Sequence, residues 1–361
     1  MSASRLTGTV RIVGAGLLGT SIGLALTKRG IDVAIEDAVR SNQALAIDYG
    51  AGRESASTDA PKLVVVCVPP DVTAAVVAKE LAAYPEATVT DVASVKSSIL
   101  EALSAEDAPL ERYVGSHPMA GREKGGAIAG RADLFAGRPW VLTSNSQSTP
   151  EALATVESLV AELGAQAIRI SAKEHDRAVA LVSHVPQLIS SLLAARLVES
   201  DAADVALAGQ GLRDTTRIAA SDPNLWLQII DANQQEILKV LLAFEGDLAK
   251  LIEALADLKQ PGALSAAISV LEAGNEGVQR IPGKHGSKAT EYSQVVVMID
   301  DTPGELARLL TQIGAANINL EDLKLEHSPG AQIGLTELYV LPSNLSSLTE
   351  MLQTKGWRIA G

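Results

Sequence analysis

Cysteine is nearly absent: Cys67 stands alone among 361 residues. That excludes an intramolecular disulfide and any zinc cage built from thiolates, and no metal site is expected. The thiol sits in the apolar run KLVVVCVPP and reads as an inert core residue. Aromatic residues make up only 3% of the chain, so its core must be mainly aliphatic. Basic charge is also short, with 30 Lys and Arg against 43 Asp and Glu and a formal net charge of −13. A polyanion is repelled by an acidic surface, so a nucleic-acid partner is excluded, and an anionic small molecule needs a local arginine cluster. No stretch approaches the ~20 uninterrupted apolar residues that span a bilayer. Residues 12–27, preceded by Arg5 and Arg11, imitate a signal-peptide core, but they contain a glycine motif and continue into a folded pattern. A soluble, cytoplasmic protein with no membrane partner is expected.

What is present is enough for more than one core. A chain of 361 residues, 47% hydrophobic and 20% charged, is ordinary globular material for about three domains. Residues 10–26 read VRIVGAGLLGTSIGLAL: an apolar strand, a glycine turn and an apolar helix. Gly14, Gly16 and Gly19 carry the G-x-G-x-x-G spacing of a dinucleotide site, with Leu17 and Leu18 opening the helix. The first glycine makes the turn, the second admits a pyrophosphate, and the third lets helix pack on strand. A second strand, 30–37, ends in Glu36 and Asp37, where a carboxylate would accept bonds from the adenosine ribose and repel a 2′-phosphate. NAD is therefore the expected cofactor. Arg40 is close enough to neutralise a 2′-phosphate, which keeps NADP possible.

The alternation continues through strand 63–70, a helix over 72–84 and strand 88–91, a doubly wound α/β pattern. The strand at 88–91 runs into a polar turn holding Ser94 and Lys96. The densest chemistry follows in YVGSHPMAGREKGGA. His117 is followed by proline and then glycines, so it cannot lie inside a helix, and it is the candidate general base.

Beyond residue 171 the pattern turns helical. Pro186 predicts a kink near Val185, and Ser221 or Asp222 caps a helix of about 30 residues that begins at Pro223. A helix that long predicts packing against a second copy, hence a homodimer. Arg213 and Arg217 would share a face if their segment is helical, and form a candidate dicarboxylate clamp. Residues 274–288 lack periodicity and read as a linker. The final segment runs βαββαβ, with a turn at SPGA, a ferredoxin-like unit.

DVASVK at 91–96 and GSHPMAGREKGG at 115–126, after this glycine turn, resemble the prephenate and arogenate dehydrogenases of tyrosine biosynthesis. The resemblance implies a Rossmann domain over 1–171, an all-α substrate and dimerisation domain over 172–284, and a C-terminal regulatory domain over 290–361. It implies that His117 accepts the substrate hydroxyl proton and that Ser94 bonds the same region, with Glu123 on a substrate-pocket position. RDTTRIAASDPNLW looks like the segment whose final arginine, here Arg217, binds a substrate carboxylate, with Arg213 and Trp226 as neighbours. The family's S-H-x-P-H pattern is altered: His184 is retained, while Gln187 replaces the second histidine. An amide can bond the keto group of prephenate or the ammonium of arogenate. Prephenate is the expected substrate, arogenate the alternative. DDTPGELARLL and NINLEDL resemble an ACT domain, which implies an amino-acid effector, with tyrosine as the end product expected, at Asp301, Gly304, Glu305 and Asn319. Two rivals are a β-hydroxyacid dehydrogenase, whose lysine motif is not evident, and a non-enzymatic NAD-linked amino-acid sensor.

Overall fold

The computed structural model describes residues 5–121, 125–282, 292–327 and 333–360. The chain forms two compact units, Met1–Ser200 with Thr215–Phe244 and Asp201–Asp214 with Glu245–Gly361.

The first unit is built on β1 (Val10–Val13), α1 (Leu17–Thr27), β2 (Val33–Glu36), α2 (Arg40–Asp48), β3 (Arg53–Glu54), β4 (Leu63–Val66), α3 (Pro70–Ala83), β5 (Thr88–Asp91), α4 (Ser97–Ala105) and β6 (Tyr113–Pro118). It continues with β7 (Pro139–Ser144), α5 (Pro150–Glu162) and β8 (Gln166–Arg169). The eight strands lie in the order β3-β2-β1-β4-β5-β6-β7-β8, parallel throughout except where β7 runs antiparallel to β6. β4 shows why the sheet is double-sided. Leu63 and Val65 enter a core with Ile22 and Leu26 of α1 and Val156 and Leu159 of α5. Val64 and Val66 point the other way, to Val77 and Leu81 of α3 and Ile99 and Leu103 of α4. An apolar run buried on both faces is what a parallel sheet requires. The strand is shorter than the expected 63–70, because Pro70 opens α3 from the first helical position, where its missing N–H costs nothing.

The helical part corrects two expectations and specifies two more. The kink is a π-helical turn at Ala180–His184 joining α6 (Ala172–Val179) to α7 (Val185–Ala195). Pro186 cannot donate to the carbonyl of Val182, and its ring crowds it; the widened turn absorbs both. The run Ala172–Ala195 is long and apolar enough, by length and composition, to cross a membrane. It nonetheless buries His175, Asp176, His184 and Gln187. After α8 (Ala202–Val205) and α9 (Gln210–Thr216), the expected 30-residue helix is broken in two, α10 (Pro223–Ala232) and α11 (Gln234–Ala256). Asn233 leaves the helical conformation (φ −125°) and spends its buried amide on Asp176 and His184. Asp222 is the cap at the start of α10, accepting the Asn224 N–H at 2.9 Å. The supposed linker is helical over its first six residues, since α12 (Ala263–Gln279) runs through Gly274 and Gly277; residues 283–291 lie outside the described chain.

In the second unit, β9 (Ser293–Asp300), α13 (Glu305–Ala315), β10 (Asp322–His327), β11 (Ile333–Val340), α14 (Leu345–Thr354) and β12 (Arg358–Ala360) follow the expected βαββαβ order. The sheet is antiparallel, in the order β10-β11-β9-β12. Its core joins Val295, Val297 and Ile299 to Leu309, Ile313, Leu348 and Leu352. The expected turn SPGA falls outside the described residues.

Candidate active site

The cofactor end of the site follows from close packing. Gly14 (φ +106°) lies against β4, so an added Cβ would strike the Cys67 carbonyl, and a Cβ on Gly19 would strike the carbonyl of Gly14. Gly16 differs: nothing lies within 4 Å of where its Cβ would be. Gly16 also caps α1 without a side chain, which leaves the first-turn amides, including those of Leu17 and Leu18, without an intrahelical acceptor. Open space over free amides at a helix N-terminus fits a pyrophosphate.

The two acids at the end of β2 part company. Asp37 is a brace, accepting the N–H of Ala15 at 2.6 Å and that of Val39 at 2.7 Å. Glu36 is paired with the buried Arg11 at 2.5 Å, and Arg11 also holds Glu80 at 2.7 Å. Both acids line a cleft of about 580 Å³ with Arg40, Gln43 and Ser55. This cleft is where an adenosine would fit.

At the carboxyl ends of β5 and β6 the polar groups converge. Lys96, 1% exposed, is ion-paired with Asp91, which also accepts the Tyr113 hydroxyl at 2.7 Å. Burial pulls the Lys96 pKa down, and Asp91 opposes that. His117, half-buried, ends β6 with Nδ1 2.9 Å from Nε2 of the fully buried His175. His175 Nδ1 is 2.8 Å from Asp176 Oδ1. Burial holds the His117 pKa well below 6.5, and repulsion from His175, Lys96 and His184 adds to it. At neutral pH it is an unprotonated base. Ser94 lies half-buried in the turn after β5 and finds no side-chain partner among the described residues.

A pocket of about 390 Å³ is lined by Gly121, Ser183, Gln187, Arg217, Ser221 and Trp226, among others. Three expected substrate residues, Gln187, Arg217 and Trp226, thus come together. His184 meets the Trp226 ring edge-on at 6.0 Å. Asn233 donates to His184 Nδ1 at 3.2 Å, so the proton is on Nε2, which is buried without a partner among the described residues. Burial pushes the His184 pKa down to about 4, with His175 adding to it. α9 ends at Thr216 and Arg217 opens a 3-10 turn, so Arg213 and Arg217 do not share one α-helical face. Arg213 is exposed on α9, in the second unit. Glu123 lies outside the described residues. In the C-terminal sheet domain, Gly304 (φ +95°) caps α13, Glu305 pairs with Arg308 at 2.6 Å, and exposed Asn319 bonds Glu321 at 2.9 Å, while Asp301 is exposed.

Sequence reasoning missed His175 and Asp176. A signal was there: positions 172, 175, 176, 179 and 180 form one helical stripe, all buried, and two of the five are ionisable.

A largely parallel sheet with this glycine turn, a neutral histidine at a later strand end and a pocket lined by Arg217 define a dinucleotide-dependent dehydrogenase. Residues 22–169 match the family model for the prephenate dehydrogenase nucleotide-binding domain, and 171–267 the model for the prephenate dehydrogenase dimerization domain. The probable prephenate dehydrogenase NovF of Streptomyces niveus is 33% identical over 97% of this chain and 98% of its own length. The chain belongs to the prephenate dehydrogenase family. Among solved structures, prephenate dehydrogenase from A. aeolicus in complex with hydroxyphenyl propionate and NAD+ is 26% identical with a TM-score of 0.69, over 77% of this chain and 100% of the other. Arogenate dehydrogenase from Synechocystis is 28% identical with a TM-score of 0.62, over 75% and 98%.

Proposed function

We propose that this chain is an NAD-dependent prephenate dehydrogenase that converts prephenate to 4-hydroxyphenylpyruvate. The observation that carries this reading is the neutral, half-buried His117 at the carboxyl end of β6, in a chain of this family. His117 takes the proton of the ring hydroxyl, and Ser94 bonds the same oxygen. NAD, when bound, supplies the hydride acceptor, and loss of the ring carboxylate then leaves an aromatic ring. Gly14, Gly16 and Gly19 with the amides of Leu17 and Leu18 hold the pyrophosphate, and Glu36 the ribose, with Asp37 supporting the turn. Arg217 grips a substrate carboxylate through its guanidinium fork, with Arg213 and Glu123 as further candidates. Trp226 walls the ring, and Gln187 and the His184 Nε2–H serve the side-chain oxygens. Orientation and electrostatics suffice, since the oxidation itself creates the electron sink for decarboxylation.

The same reading assigns dinucleotide binding to 1–171, substrate binding and dimerisation to 172–284, and regulation to 290–361, in a cytoplasmic homodimer. Exposed Leu238, Leu242, Leu248 and Ile252 along α11 supply an apolar face for a second copy. The βαββαβ unit is read as an ACT domain that takes tyrosine at Asp301, Gly304, Glu305 and Asn319.

Reduced-nicotinamide absorbance, followed with prephenate or arogenate and NAD or NADP, with and without tyrosine, tests these assignments. Turnover is expected with prephenate and NAD. His117→Asn should remove most turnover and leave NAD affinity intact; near-normal turnover in that variant refutes the assignment.

A further inference from the structure

Asp176 is held as an acceptor from two directions. Oδ1 takes the N–H of Lys96 at 2.9 Å and Oδ2 that of Ser97 at 2.7 Å, at the start of α4. Burial raises its pKa, but bonds from His175 and Ser97 outweigh that and hold it below the usual carboxylate range. An ionised carboxylate has no proton to give, so His175, 2.8 Å away, must carry its own on Nδ1. Its Nε2 is then a lone pair facing His117 Nδ1 at 2.9 Å. That bond forms only with the His117 proton on Nδ1, and His117 Nε2 is left as a lone pair.

We infer that His175 and Asp176 are positioning residues that lock His117 into the one tautomer able to take a proton from substrate. The inference rests on the proposal that His117 is the base. The charged and titratable groups around His117 agree with it. Lys96, after β5, and His184, from the π turn, both disfavour a second, charging proton on His117. Asp91 is committed to Lys96 and to Tyr113 of β6. Asp176 is the carboxylate that reaches His117 through His175.

In Asp176→Asn one oxygen becomes an NH₂ group. With NH₂ toward His175, the His175 proton moves to Nε2, and His117 must carry its proton on Nε2, where it cannot act as a base. The same reversal in a Ser-His-Asp triad lowers kcat about 10⁴-fold. A fall of at least about 100-fold in kcat is expected here, with NAD affinity unchanged. The acid limb of kcat against pH should move lower, because the anion favouring a protonated imidazole is gone.

Histidine ring ¹⁵N shifts provide a readout independent of turnover. In the unsubstituted protein His117 should carry its proton on Nδ1 and leave Nε2 bare; in Asp176→Asn the two should exchange. A protein without turnover that shows the Nδ1 tautomer refutes the functional reading and not the relay. The relay is overturned by an Nε2 proton on His117 in the unsubstituted protein, a measurement that stands even if the variant fails to fold. A folded Asp176→Asn variant with native kcat and pH profile overturns it too.

Discussion

Lys96→Met removes a buried cation and keeps most of its volume. Lys96 and Asp91 are 1% and 0% exposed, and without the ammonium Asp91 retains, among the described residues, only the Tyr113 hydroxyl and the Ala93 N–H as donors. Leaving one member of a buried pair without its partner costs about 3–5 kcal/mol. For a unit of this size, at roughly 2–4 °C per kcal/mol, that lowers the melting temperature by roughly 6–20 °C. Adding Asp91→Asn removes the stranded charge, so the double variant should regain most of the loss. Thermal and urea unfolding of the four proteins in the cycle measure the coupling directly. The substitution also removes one of the charges that disfavour protonation of His117. The His117 pKa should rise toward its ordinary value, moving the acid limb of kcat/KM to higher pH, opposite to Asp176→Asn. A single variant within about 1 kcal/mol of the parent and an unmoved acid limb would refute the reasoning.

Gly19→Ala drives a methyl group into the backbone of Gly14. NAD affinity, read by fluorescence of the reduced cofactor, should fall more than about tenfold, because α1 must move off β1 and take its amides with it. Arg217→Lys keeps the charge but loses the fork. Since a hydrogen bond to a charged group is worth ~1.5–3 kcal/mol, KM for the anionic substrate should rise about 10- to 150-fold while NAD affinity holds; an unchanged KM removes Arg217 from carboxylate binding.

The glycine turn was legible because its spacing is fixed by close packing: Gly14 and Gly19 each answer to a backbone atom at most a strand away, and Gly16 to the open space over the helix start. His117 was legible for a similar reason, since Pro118 and the glycines after it leave few structural roles open. His175 and Asp176 were hidden by the very regularity of their helix, where apolar spacing drew attention from two ionisable members of the buried stripe. The break at Asn233 could not be read at all, because what ends α10 is a carbonyl 57 residues away and an imidazole 49 residues away. The acids at the end of β2 were read as interchangeable; only the Arg11 and Ala15 contacts separate Glu36 from Asp37.

The π turn at Ala180–His184 makes this region sensitive to length more than to composition. Each residue of an α-helix advances the chain by about 100°. Deleting one residue between 180 and 184 would draw α6 and α7 into one continuous helix, interrupted at the bond Pro186 cannot make. Gln187 would then be turned by that angle relative to His175 and Asp176, and the wall of the substrate pocket would face away from the histidine pair. Homologous chains should therefore vary freely at exposed Leu181, yet admit no gap between 180 and 184.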